Sequence, residues 1–167
     1  MLAGVSHRPA VMRLHLIAVG VRMPEWVNTA YAGYAKRLHS GCRLELREIP
    51  AGRRSRSADI ARILKIEGDR CLDAVPSGAR IIALERQGRV LPSDQVAEAM
   101  GRWLQEGRDV AFLVGGPEGL APQCLQRADE LWSLSSLTLP HTLVRVLLAE
   151  QLYRAWSMLN HLPYHRE

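Results

Sequence analysis

Two hydrophobic rhythms alternate along this chain. Short apolar runs, RLHLIAV over residues 13–19, RIIAL over 80–84 and VAFLV over Val110–Val114, have the length and composition of buried strands. LELREI over 44–49 instead alternates apolar with charged residues, the period of a half-buried strand. Between these runs, apolar residues recur at helical spacing. Trp26, Val27, Ala30, Tyr34 and Leu38 follow Pro24, which sits where a helix start tolerates its missing N–H, and all five are expected to face the core. Ile60, Ile63, Leu64, Glu67 and Cys71 mark a second helix, which Ser57 or Ser55 is placed to cap and which runs to about Ala74. Val96, Met100, Trp103 and Leu104 mark a third, opened at Pro92 and Ser93 and stopped by Gly107. The last, over 142–160, is apolar on more than one stripe, with Leu143, Val144, Leu147, Leu148, Leu152, Ala155, Trp156 and Leu159. A helix so apolar has to be covered on two sides, and a second subunit is a natural cover.

Strands alternating with helices of this length imply right-handed crossovers. The expected class is α/β, with a mostly parallel sheet and helices on both faces. Without repeats, low-complexity stretches or a linker, residues 12–167 form one domain. In such sheets ligands bind beyond the carboxyl ends of the strands, and two unusual segments fall there. GGPEG follows Val110–Val114 directly; a glycine pair at a strand end marks a tight turn to which something must come close. SLSSLTLP, over 133–140, spaces Leu134, Leu137 and Leu139 with small hydroxyl residues, too polar for a core strand and too rich in leucine for a free loop. It is expected to fold back as a pocket wall.

Composition narrows the partners. The 167 residues carry a formal net charge of +5, a balance that favours polyanions. The most basic stretch, PAGRRSRSADI, holds Arg53, Arg54 and Arg56 between a strand and a helix. Cys42, Cys71 and Cys124, odd in number and well separated, fit free thiols in a reducing cytoplasm. No run is long enough to span a membrane, and the histidines lack metal-site spacing, so neither membrane nor metal is expected. Residues 1–11 lack the apolar core of a signal peptide; either they are a disordered extension or translation starts at Met12.

Taken together, RLHLIAVG, MPEW, REIPAG, ADI, GGPEG, SLSSLTLPH and LVRVLLAEQLYRAWSMLNHLPYHRE resemble, in order and spacing, the bacterial pseudouridine N3-methyltransferases of large-subunit (23S) ribosomal RNA. These belong to the SPOUT class of S-adenosylmethionine (SAM) enzymes. The resemblance implies a C-terminal trefoil knot, a homodimer built partly on the last helix, SAM as cofactor, and ribosomal RNA, on the assembled ribosome, as substrate. Leu84, Gly115 and the run Ser135, Ser136, Leu137, Thr138, Leu139 and Pro140 match the family's cofactor contacts, with Gly116 allowing close approach. A β-branched residue at Gly115 is expected to fill cofactor space and leave the chain folded. N3 of a pseudouridine carries a proton that must leave before it attacks, so a base or a cation is required. Arg154, Tyr164, His165 and Arg166 are the candidates, although Arg154 is also well placed for an ordinary ion pair with Glu150. His141 is a pocket residue or simply a helix-start histidine. With an RNA substrate, Arg53, Arg54 and Arg56 become the candidate phosphate contacts. Two rivals remain: a nucleotide-phosphate enzyme, against which GGPEG lacks the lysine of a phosphate loop, and a non-catalytic ribosome-binding or assembly factor on the same fold.

Overall fold

The computed structural model describes residues 11–166, so the extension expected at 1–11 falls, apart from Val11, outside the described residues. In chain order the elements are β1 (Met12–Val19), α1 (Glu25–Ala35), β2 (Cys42–Ile49), α2 (Ile60–Asp73), β3 (Arg80–Val90), α3 (Ser93–Glu106), β4 (Val110–Val114), α4 (Pro122–Arg127), β5 (Glu130–Ser133) and α5 (His141–Leu159). The strands form one sheet in the order β2-β1-β4-β3-β5, and every neighbouring pair is parallel. All strands therefore present their carboxyl ends along one edge.

The strand period of two sorts the apolar residues into two layers. Leu14, Leu16, Ile82, Val110 and Phe112 join Met100, Trp103, Leu152 and Trp156 from the helices on one face. Ile17, Val19, Ile81, Ala83 and Leu113 point the other way, against Cys71 of α2 and Cys124 of α4. Both faces of the central strands are thus covered, which is why their sequences read as continuous apolar runs. All three cysteines are buried free thiols.

Several details depart from the sequence expectations. Trp26 is 55% exposed, not core: Val27, Tyr31 and Leu38 fill that role, and Trp26 lies one residue, about 100°, off their stripe. Leu104 likewise reaches the surface. Asp59, rather than Ser57 or Ser55, caps α2, accepting from Arg62 N at 3.2 Å. β3 continues past Leu84 to Val90, with a register break against β5 between Leu84 and Arg89. Gly88 makes the extension possible, since a Cβ there would sit 2.6 Å from the Trp132 carbonyl carbon.

One buried charge carried no signal in the sequence. Arg145, 1% exposed, projects from α5 to the carboxyl end of β1, donating to Gly20 O at 2.7 Å and pairing with Glu48 of β2 at 2.8 Å. It thereby joins helix, central strand and edge strand behind the ligand edge of the sheet. Arg145→Met is expected to destabilise the chain by about 3 kcal/mol, the low end for breaking a buried pair, because Glu48 is 32% exposed and can rehydrate. A urea midpoint within error of wild type would contradict that assignment.

Candidate functional site

The middle of β3 and the loops after β4 and β5 border a cavity of about 740 Å³. Its floor is the end of β4 and the turn that follows. Gly119 N donates to Gly116 O at 3.0 Å, closing a turn with proline second and glycine fourth, the placement favoured in the commonest turn class. Gly119 has φ +80°, which favours glycine. One wall is the leucine-hydroxyl loop, and its hydroxyls explain its composition. Ser133 Oγ donates to Ser135 O and Ser135 Oγ accepts from Leu137 N, both at 2.9 Å, so the loop braces itself and leaves other main-chain groups available to a ligand. Leu84 and Trp132 contribute from β3 and β5; the buried indole N–H of Trp132 has no partner among the described residues. His141 and Val144 complete the rim from α5.

Of the expected cofactor residues, Leu84, Gly115, Gly116, Ser135, Leu137, Thr138, Leu139 and Pro140 all line this cavity, while Ser136 is not among its lining residues. Leu137 is 75% exposed, a hydrophobic side chain awaiting cover. One expectation is corrected here. A Cβ on Gly115 would meet Gly119 O and Leu120 N, each at 2.5 Å, so it would collide with the turn itself rather than with cofactor space. Burial first, and then the nearby charges of Arg145 and Arg54, lower the pKa of His141.

The expected catalytic residues gather elsewhere. Arg154, His165 and Arg166 line a second cavity of about 450 Å³ with Ser93, Asp94 and Gln151, and it shares no residue with the first. The ion pair with Glu150 does form: Glu150 Oε1 accepts from Arg154 Nε at 3.0 Å, and it also accepts from Tyr164 O–H at 3.1 Å. Tyr164 is outside that cavity's lining but lies under the Arg154 guanidinium, 5.0 Å from ring centroid to Cζ. Glu150 thus folds the C-terminal segment back onto α5. Its hydrogen bond raises the Arg154 pKa, keeping the side chain a cation, while burial and then Glu150 push Tyr164 up to about 12.

The basic loop divides. Arg53 and Arg56 are exposed. Arg54 turns inward to Glu67 at 2.9 Å and to Glu118 of the glycine turn at 2.5 Å. Glu67, only 2% exposed, also accepts from Gly52 N at 2.9 Å. Its place among the apolar positions of α2 was the available signal, since a carboxylate on a buried stripe needs a cationic or N–H partner.

A parallel sheet with a cavity between two loops at its carboxyl edge is an α/β scaffold of the kind that places ligand sites there. The family model described as "Predicted SPOUT methyltransferase" matches residues 12–165, and the chain belongs to the SPOUT methyltransferases. Membership of that family implies the C-terminal trefoil knot expected above. Among curated relatives, the "Ribosomal RNA large subunit methyltransferase H" of Thioalkalivibrio sulfidiphilus is 56% identical over 156 residues, covering 93% of this chain and 100% of the relative. The protein of the same name from Methylococcus capsulatus is 56% identical over 155 residues, with the same coverage. Among solved structures, a probable methylase family protein from Haemophilus influenzae aligns with TM-score 0.57 at 15% identity, over 95% of this chain and 71% of that one. A probable methyltransferase from Bordetella pertussis also gives 0.57, at 17% identity, over 87% and 95%. At that identity the structures speak for the fold alone.

Proposed function

We propose that this chain transfers the methyl group of SAM to N3 of a pseudouridine in large-subunit ribosomal RNA, acting in the cytoplasm as a homodimer on the assembled ribosome. The observation that carries the reading is the cavity between the glycine turn and the leucine-hydroxyl loop, in a chain whose full-length relatives are named as ribosomal RNA methyltransferases. Its volume suits a nucleoside-sized ligand. Leu84, Leu134 and Leu139 supply apolar walls for an adenine, and the main chain of Ser135–Pro140 supplies edge hydrogen bonds. The main chain of the glycine turn lines the same cavity and offers its polar groups to the rest of the molecule. When bound, SAM supplies an electrophilic methyl on a sulfonium.

The chain's own part is to position the acceptor and manage its proton. N3 gives its proton to solvent water, and the Arg154 cation, fixed by Glu150, stabilises the resulting imide anion. That anion takes the methyl as the S–CH3 bond breaks, with its electron pair left on the departing thioether. His165 and Arg166 line the same cavity, and Tyr164 offers a ring for stacking on a flipped base. Arg53 and Arg56 face solvent and are suited to RNA phosphates.

Within one chain these parts lie apart. Val144 borders the first cavity and Arg154 the second, about 15 Å further along α5 at the rise of a helix. A two-fold dimer that sets one subunit's tail against its partner's cofactor cavity resolves the separation and covers Leu143, Val146 and Leu147, half-buried in the single chain.

Mixed dimers test the proposal. Gly115→Val chains (cavity lost) and Arg154→Ala chains (cation lost) should each fail to methylate ribosomes. Unfolded and refolded together, they should recover about a quarter of wild-type activity, because half the dimers are mixed and each mixed dimer holds one intact composite site. No recovery would place both parts in one subunit; no methyl transfer by the wild type, despite ribosome binding, would leave a non-catalytic assembly factor.

A further inference from the structure

The inward turn of Arg54 places it between two loops with different proposed jobs. Its neighbours Arg53 and Arg56 stand on the exposed basic loop, while its partner Glu118 lines the cofactor cavity. Three bonds fix the guanidinium: Nε to Glu118 at 2.5 Å, Nη1 to Glu67 at 2.9 Å and Nη1 to Gly52 O at 2.9 Å. Glu67 is buried in α2 and also holds Gly52 N, so this end of the clamp belongs to the rigid body of the protein. The Glu118 end belongs to the turn. Arg54 Nη2 has no partner among the described residues and lies 3.7 Å from where a Gly116 Cβ would stand, against the floor of the cavity. The positive charge of Arg54 is also felt at His141 on the cavity rim.

We propose that Arg54 is a positioning residue that couples the RNA-facing loop to the cofactor-binding turn, so that seating RNA on Arg53 and Arg56 sets the turn at Gly115–Gly119 for SAM. The inference rests on the proposed RNA methyltransferase reading. A planar guanidinium held by two carboxylates transmits displacement because neither bond survives a rotation that keeps the other. Phosphate contacts beside Arg54 fix the loop that carries it, and the Glu118 bond passes that constraint to the cavity floor. The coupling is reciprocal: SAM in the cavity holds Glu118, hence Arg54, hence the basic loop, and raises affinity for RNA by the same factor.

The test measures SAM affinity of the full-length protein by calorimetry, alone and with saturating purified ribosomes. Wild type should bind SAM about tenfold tighter with ribosomes present. Glu118→Ala removes the acceptor for Arg54 Nε but leaves the Arg54–Glu67 pair intact, so it should fold, yet the ratio should fall to about one. Arg54→Lys keeps the charge but cannot hold both carboxylates, and it should flatten the ratio equally. The double variant should be no worse than the weaker single, because the two changes cut one tether. A wild-type ratio of one, an unchanged ratio in both variants, or additive losses pointing to direct SAM contact by Glu118 would each overturn the coupling. Absence of SAM binding by wild type under either condition would instead overturn the methyltransferase reading beneath it.

Discussion

Arg154→Ala should slow methyl transfer to ribosomes by about a hundred- to a thousandfold, the range for removing one pre-set donor to a developing anion. Its affinity for SAM should stay at the wild-type value. The separation of effects follows from the geometry. Arg154 lines the second cavity, which shares no residue with the first, so cutting the side chain removes no wall of the proposed cofactor cavity. What changes is the charge facing the acceptor. Glu150 currently holds Arg154 through Nε and Nη2 on the same oxygen that accepts from Tyr164. Without the guanidinium that carboxylate remains, and a negative group beside a forming imide anion is worse than none. Arg154→Lys should fall between wild type and alanine, since it restores the cation without the two-nitrogen contact that fixes it. Single-turnover rates at saturating SAM read the effect. A rate for Arg154→Ala within a factor of about three of wild type, well short of a lost anion-stabilising donor, would return the residue to a plain surface pair.

Much of the scaffold was legible because buried parallel strands and amphipathic helices leave distinct periods, and the structure keeps every element those periods marked. Elements without a period were not. β5 is only ELWS; four residues cannot establish alternation, and at the sheet edge Leu131 stays partly exposed while Trp132 is buried. The continuation of β3 was hidden by RQG, whose polar residues sit on an exposed stretch where a strand need not be apolar. The charged anchors were hidden for a related reason. Periodicity counts apolar residues, so Arg145 fell between Val144 and Val146 without a signal, although it carries the junction of α5, β1 and β2.

The cofactor residues expected from the resemblance are gathered, all but Ser136, around one cavity. Their individual roles were not legible. Sequence marks a glycine as a place of close approach without saying what approaches. At Gly115 and Gly88 it is the protein's own backbone, and at Gly116 it is Val19 and Arg54. Arg54 shows the same limit from the charged side: three arginines in one loop look alike in sequence, and burial of a single acidic partner on α2 separates them.

Gly115→Val follows from that correction. A Cβ at this position has Leu120 N and Gly119 O each at 2.5 Å, with the Gly119 carbonyl carbon closer still, and backbone cannot swing aside as a side chain would. The turn closed by Gly119 N and Gly116 O must therefore open or shift, carrying Glu118 away from Arg54. The expected result is loss of SAM binding together with a stability loss of about 1–3 kcal/mol, the usual cost of forcing atoms into packed space. Gly119→Ala is the informative partner. Nothing lies within 4 Å of its Cβ, but φ is +80°, so the change costs only left-handed strain, about 1–2 kcal/mol, with the turn's contacts kept. SAM binding should weaken there but persist. Calorimetry for SAM and a urea midpoint on both variants decide the matter. If Gly115→Val keeps wild-type stability and still loses SAM, the Cβ must enter ligand space after all. If it keeps both, the glycine turn is not part of the cofactor site.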